Sequence, residues 1–343
     1  MTGSRSHPRF LRQGLALFGL LLFLLFALIL GVGVGAVQVP PGEVLRALLG
    51  LSENPVLTEL RLPRVLGGAL VGGSLALAGA AFQGLFRNPL ADPYLMGSAS
   101  GAALGVTLYA LFAGALSPAF AQHAVFSSLP LSATLAGFLG ALFAVGLTLV
   151  LAGGAVRTHD LVLAGVVVGS VFTGLTTYLM MQDADRVRAV FAYTLGNLAF
   201  VGWPGVKALA LFGLLSSPLS LFGRVLNALA LGEEVAKSLG LPLEALKLLL
   251  IALAALLTAA SVAQAGIIGF VGLITPHLLR RLLGEDYRVL LPASFLGGAA
   301  FLVLADLLAR TLPRPAELPV GVVTPLLGGP FFLYLMWRGR GRA

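Results

Sequence analysis

Nine stretches of this chain are apolar and long enough to cross a bilayer, near 14–37, 65–86, 94–114, 132–155, 161–181, 203–222, 245–265, 290–311 and 318–337. Runs of about 20 apolar residues have the length of a membrane helix. A tenth apolar piece, 266–283, is broken by Gly266, Gly269, Gly272 and Pro276. Irregular backbone at membrane depth is tolerated only where protein or a cavity satisfies it, so this piece predicts a re-entrant turn plus a short helix. The expected fold class is all-α, a polytopic integral membrane protein with about ten transmembrane helices. Only 10% of the 343 residues are charged, against roughly 25% in soluble domains. No polar segment is long enough to bury a core of its own. Residues 1–343 therefore read as one transmembrane domain.

The formal net charge is +8. In a membrane protein this reflects basic residues gathered in cytoplasmic loops. No basic run is interleaved with aromatics, so nucleic acid is not an expected partner. Cysteine is absent, which removes disulfides, thiolate metal sites and thiol nucleophiles. A basic start, MTGSRSHPRFLRQ, precedes the first apolar run. That run, Gly14 to Val37, is about 24 residues, longer than the roughly 7–15 of a signal-peptide core. An uncleaved first membrane helix is expected.

An even number of crossings puts both termini on one side. Arg5, Arg9 and Arg12 flank the first span, and Arg338, Arg340 and Arg342 follow the last. The positive-inside bias makes both ends cytoplasmic. Arg87, Arg157, the stretch Arg224 to Lys247 and the stretch Arg280 to Arg288 share that side. Leu51 to Arg64, the loop 115–131, Asp183 to Arg188 and Arg310 to Glu317 fall on the other.

Several apparent motifs dissolve on inspection. Gly31, Gly33 and Ala36 imitate a dinucleotide fingerprint, but they close a membrane helix instead of opening a βαβ unit. The four histidines, His7, His123, His159 and His277, form no metal-ligand spacing with each other or with carboxylates. A Ser100–His277 hydrolase dyad has no support in spacing. Glycines such as Gly68, Gly72, Gly73, Gly165 and Gly169 read as close-packing positions. Asp306 lies in the ninth run, four residues before Arg310. An acid in a span is a functional candidate by default, yet an i,i+4 ion pair near the surface accounts for it.

Three features ask for more. Arg61, Arg64 and Arg310 face the outer side, where arginine is disfavoured; they read as interfacial snorkellers or as posts for carboxylates on an outside partner. Arg87 to Pro93 is a cytoplasmic turn rich in Pro, Asn and Asp. The stretch 226–242, LNALALGEEVAKSLGLP, is a polar insert in an apolar chain. Gly232 starts a short helix there, and Gly240 with Pro242 ends it. Glu233 and Glu234 sit in its first turn, with Lys237 further along. Leu231, Val235 and Leu239 form a stripe at i, i+4, i+8. Acids on its polar face are a poor match for an anionic inner leaflet, so a groove of a cytoplasmic protein is the better seat.

The blocks RLPRVLGGALVGGSLALAGAAFQGLFRNPLADPYLMGSASGAALG, LNALALGEEVAKSLGL, GIIGFVGLITPHLLRRLLGEDYR and ADLLARTLPRPAELPVGVVTPLLGGPFFLYL closely resemble the vitamin B12 and iron-siderophore/haem permeases of bacterial ABC importers. They sample the chain from the second span to the last; the first span matches only in kind. The resemblance implies the fold of a type II importer permease, with ten membrane helices. It implies a second permease copy, usually a homodimer, two cytoplasmic ATP-binding cassette subunits and one extracytoplasmic substrate-binding protein, in the bacterial cytoplasmic membrane. Leu231, Gly232, Glu233, Glu234, Val235, Leu239 and Gly240 match the family's ATPase-coupling helix. Arg61, Arg64 and Arg310 match its binding-protein docking arginines. Asn88, Leu90, Thr158 and His159 fall in its cytoplasmic gate segments, and Leu161 to Met181 would line the path at the dimer axis.

No Gly-x-x-x-x-Gly-Lys-Ser/Thr loop is present, so this chain is expected to be a permease and not an enzyme. It is expected to bind no cofactor or metal itself, ATP and Mg residing on the partner ATPase. The expected cargo is a metal chelate, a ferric siderophore first, with haem or cobalamin as alternatives. An ion-coupled secondary transporter is the alternative of another class, and an intramembrane enzyme a third; both need polar sites that the spans do not offer.

Overall fold

The structure is a computed structural model and describes residues 7–35, 39–52, 54–116, 131–155, 157–182, 190–312 and 316–340. The loop 117–130, the segment 183–189 and Arg5, Arg314 and Arg342 lie outside the described residues. Every regular element among the described residues is helical. Seven helices are long and apolar enough to cross a membrane: Leu11–Gly33, Val56–Leu85, Ala133–Leu151, Thr158–Met180, Trp203–Ala230, Leu243–Ala265 and Tyr287–Thr311. Two shorter apolar helices, Ser98–Phe112 and Val320–Phe331, and the half-helix Val271–Leu283 complete the ten segments that the sequence predicts.

In chain order, α1 is His7–Gly33, and α2, Pro41–Leu48, is a short helix that the apolar pattern does not announce. Pro41 sets its first turn, Glu43 and Arg46 match its dipole, and Val44 and Ala47 bury against Leu24, Ala27 and Val32. A π-helical turn, Val56–Arg61, runs straight into α3, Leu62–Leu85. The second span is thus 30 residues, starting nine positions before the apolar run does.

Helix α3 is buried along almost its whole length, and two glycines explain how. A Cβ at Gly72 would strike the Gly298 carbonyl oxygen in the helix Tyr287–Thr311, and one at Gly79 would strike that of Gly272 in the helix Val271–Leu283. Backbones approach closely only where side chains are absent. α4 (Ser98–Leu116), α5 (Leu131–Leu151) and α6 (Thr158–Met180) follow α3 in the chain and pack chiefly on one another. α7 (Trp203–Leu215) continues through a 3-10 turn, Ser217–Phe222, into α8 (Gly223–Ala230). Then come α9 (Glu233–Ser238), α10 (Leu243–Ala265), α11 (Val271–Leu283), α12 (Tyr287–Thr311) and α13 (Val320–Arg340). The polar stretch 226–242 is therefore two helices: its first residues end α8 and only its centre forms α9.

The broken piece 266–283 is an irregular stretch followed by a short helix, Val271–Leu283. Between α10 and α11 the chain is irregular, with Gly266 and Phe270 at positive φ. Its polar backbone is answered by protein groups. The Tyr94 hydroxyl donates to the Ile268 carbonyl at 3.1 Å and accepts from the Ile268 N–H at 3.2 Å. The Asn197 N–H donates to the Ala265 carbonyl at 2.7 Å. This is how non-helical backbone survives at membrane depth.

Gly72→Ala or Gly79→Ala forces α3 away from its partners and costs about 1–3 kcal/mol of stability. A thermal-unfolding series in detergent, read by size-exclusion fluorescence, checks this. Gly14→Ala, which meets nothing within 4 Å, leaves the midpoint unchanged or raises it.

Candidate functional site

Functional side chains gather at the two ends of α3, a helix of 24 residues, so the ends are roughly 36 Å apart. At the Leu62 end the three arginines picked from the sequence converge, and each is engaged within the chain. Arg64 forks onto Asp306, with Nη2 2.9 Å from Oδ1, and reaches Glu317 Oε2 at 2.8 Å through Nη1. Arg310 Nε lies 3.0 Å from Asp306 Oδ2, which is the i,i+4 pair that the spacing predicts. The remaining donors close α1. Arg310 Nη2 donates to the Gly31 carbonyl at 2.8 Å and Nη1 to that of Val34 at 3.3 Å, while Arg61 Nη1 donates to that of Val32 at 3.2 Å. A helix ends with unpaired carbonyls, and here two guanidinium groups satisfy them.

Asp306 is the centre of this cluster. Its side chain is 3% exposed and Arg310's 5%, against 12% for Arg64 and 52% for Glu317. The Arg64–Asp306 contact joins residues 242 positions apart, so no local spacing discloses it.

At the Leu85 end, α9 stands between two glycines, Gly232 at φ 121° and Gly240 at φ 76°, with open space around both. Leu231, Val235 and Leu239 are 73%, 43% and 64% exposed, so the apolar stripe points away from the protein. Ala236 is fully buried on the opposite face. The sequence reading turns both acids toward a partner. In the structure Glu234 is exposed, whereas Glu233, three residues from Ala236, faces inward. Its Oε1 lies 2.8 Å from Lys247 Nζ, on the first turns of α10, and accepts from the Thr158 hydroxyl at 3.4 Å, at the start of α6. Burial pushes the Glu233 carboxyl up, but the bond and charge of Lys247, the charge of Arg87 and the Thr158 hydroxyl outweigh it and hold the group below its usual range.

The other expected gate residues lie in the 86–92 turn and at the start of α6. Asn88 folds the 86–92 turn on itself, its Oδ1 accepting from the Leu90 N–H at 2.9 Å. Asn88, Leu90 and His159 are exposed. Asp92 caps the next turn, accepting from the Tyr94 N–H at 2.8 Å. Sequence reasoning passed over Lys247 and a second clasp. Asn227 Nδ2 donates to Asp286 Oδ1 at 2.8 Å and its own Oδ1 accepts from the Tyr287 N–H at 2.9 Å, tying α8 to α12. Hydrogen bonds from Arg288, then from Asn227, hold the Asp286 carboxyl well below the usual range.

Between the two ends lies an open cavity of 910 Å³, walled by α4, α6 and the 92–97 turn. Apolar atoms dominate its lining, and Ser100, Ser170, Thr173, Thr176, Thr177 and Thr194 supply hydroxyls. Asp92 is the one charged type among its described lining residues. The Thr176 hydroxyl is buried with no hydrogen-bond partner among the described residues. No cluster of three or more His, Cys, Asp or Glu occurs among the described residues.

A multi-span all-helical chain with a short amphipathic surface helix and an open, mostly apolar cavity has the plan of a transporter subunit. The profile of the FecCD transport family matches residues 22–338. The chain belongs to this family. It is 40% identical over 352 residues to the hemin transport system permease protein HmuU of Yersinia pestis, covering 98% of each. It is 38% identical over 345 residues to the vitamin B12 import system permease protein BtuC of Klebsiella pneumoniae, again covering 98% of each. A solved chain described as belonging to a metal-chelate type ABC transporter, in an inward-facing conformation, superposes with a TM-score of 0.80 at 32% identity, covering 95% of this chain and 99% of that one. This FecCD-family chain is accordingly an all-α, multi-pass permease of the ABC importer class. Its relatives' names divide between cargoes.

Asp306→Asn leaves two buried guanidinium groups without their shared carboxylate, and the expected loss is about 3–5 kcal/mol. Thermal midpoints in detergent measure it. Acid should loosen the end that carries α9. Glu233 and Asp286 have depressed folded pKa values, so their contribution is present above their unfolded values, about 4, and fades as pH falls through the lower folded values. Hydrogen-exchange protection of 223–242 is expected to drop across that window.

Proposed function

We propose that this chain is the membrane-spanning half of an ATP-driven importer. It pairs with a second copy of itself, and two ATP-binding cassette subunits seat on Leu231, Gly232, Glu234, Val235, Leu239 and Gly240. The single observation that carries the reading is the exposed Leu231, Val235 and Leu239 stripe on a six-residue helix held between two positive-φ glycines. An apolar stripe left in water is a partner site. ATP and Mg reside on the cassettes, and hydrolysis is theirs. Both termini, α9 and the 86–92 turn share the cytoplasmic side.

An extracytoplasmic binding protein delivers cargo at the other end. Arg64 is the docking post best placed to meet a carboxylate there, since Arg61 and Arg310 hold α1. The cavity between α4 and α6 is half of the conduit, the other half coming from the second copy against the exposed face of α6, which carries Leu163, Val166 and Val171. Its hydroxyls and lack of cations suit a bulky chelate that passes without lodging. A ferric siderophore is the proposed cargo. Haem or cobalamin is the second reading, favoured by the names of the two relatives above.

Charging the conduit tests this. Thr173→Arg is expected to lower uptake of a ferric hydroxamate into proteoliposomes by at least about tenfold, while the amount of ATPase co-purifying with the chain stays the same. Uptake that persists without ATP would instead point to an ion-coupled carrier.

A further inference from the structure

The acids of α9 look alike in sequence but occupy different places in space. Glu234 is exposed, while Glu233 is turned toward the body of the protein. Three cytoplasmic elements meet on that one carboxylate. Lys247, whose side chain is 3% exposed, stands 2.8 Å away on α10. The Thr158 hydroxyl, the first residue of α6, donates to it at 3.4 Å. Arg87, at the end of α3 and the start of the 86–92 turn, is close enough for its charge to act on it. A nearly buried ammonium holds its carboxylate tightly, since parting them would leave a charge in a poorly solvated place. The backbone on either side of α9 hinges at Gly232 and Gly240, so it transmits little by itself.

We propose that Glu233 is a positioning residue that acts as the strut between the ATPase-seated helix and the cargo path, linking α9 through Lys247 and Thr158 to α10 and α6, and that it makes no contact with the ATPase. This rests on the importer reading above. Helix α6 carries Ser170, Thr173, Thr176 and Thr177 on the cavity wall. A displacement of α9 would then reach that wall through one ionic contact and one hydroxyl. Docking and transmission would lie on opposite faces of a six-residue helix.

The experiment uses the absence of cysteine in this chain. A single Thr173→Cys variant carries a spin label on α6, and the full chain is purified from native membranes with whatever ATPase it retains. Two quantities are read: the ATPase retained, and the change in label signal on adding ATP and Mg. With Glu233→Gln, ATPase retention should stay within about twofold of the parent, and the ATP-driven label change should fall by about tenfold, inside the roughly 5–150-fold range of site–site coupling. Val235→Asp, on the exposed stripe, should lose the ATPase outright. Exchanging the pair, Glu233→Lys with Lys247→Glu, should restore most of the label response, and it serves as the folded reference if Glu233→Gln does not fold. The proposal is overturned if Glu233→Gln sheds the ATPase as Val235→Asp does, if it keeps the full label response, or if the folded exchange variant stays unresponsive. A parent chain that retains no ATPase overturns the importer reading itself.

Discussion

Close approach of backbones along α3 is the constraint on which the other arrangements depend. With no room for a Cβ at Gly72 or Gly79, α12 and α11 lie directly on α3. Their ends are thereby fixed relative to its ends. Asp306 of α12 arrives beside Arg64 at one end. Gln83, near the other end, donates to the α11 carbonyls of Gly272 and Leu273 and accepts from Arg280 at 3.1 Å. Van der Waals contact, not hydrophobic burial, associates helices in lipid, so a packed glycine face does here what a leucine core does in water.

Ionic groups answer a different requirement. In low dielectric a charge must be paired and hydrogen-bonded, and the chain meets this with few groups: one carboxylate shared by two arginines at one end of α3, and one carboxylate shared by a lysine and a hydroxyl at the other. The first cluster also closes α1, and the second also joins α9 to its neighbours. Each charge has more than one structural duty, which fits a chain with only 14 acidic residues.

The spans, the re-entrant break at 266–270, the glycine bounds of α9 and the Asp306–Arg310 pair were all legible from local pattern. Each is written in residues a few positions apart, where periodicity, turn chemistry and i,i+4 spacing operate. What stayed hidden was long-range or short-lived in sequence. Arg64 finds Asp306 and Glu317 across more than 240 positions. Lys247 looks like a loop cation because it stands at the very start of the apolar run 245–265, although helix α10 begins four residues earlier, at Leu243. The inward turn of Glu233 depends on Ala236 packing beneath α9, and a helical wheel cannot say which face the protein will cover. The eight-residue α2 is too short for its period to stand out.

The arginine closure of α1 also bears on how the chain is made. Arg61 follows Val32 by 29 residues, but Arg310 follows Gly31 by 279. A ribosome delivers the first arginine almost as α1 enters the bilayer and the second only when nearly all other spans have been synthesised. The first helix must therefore reside in the membrane half-fastened during most of translation. Its final seating, and that of the short helix α2 packed against it, belongs to the last stage of assembly.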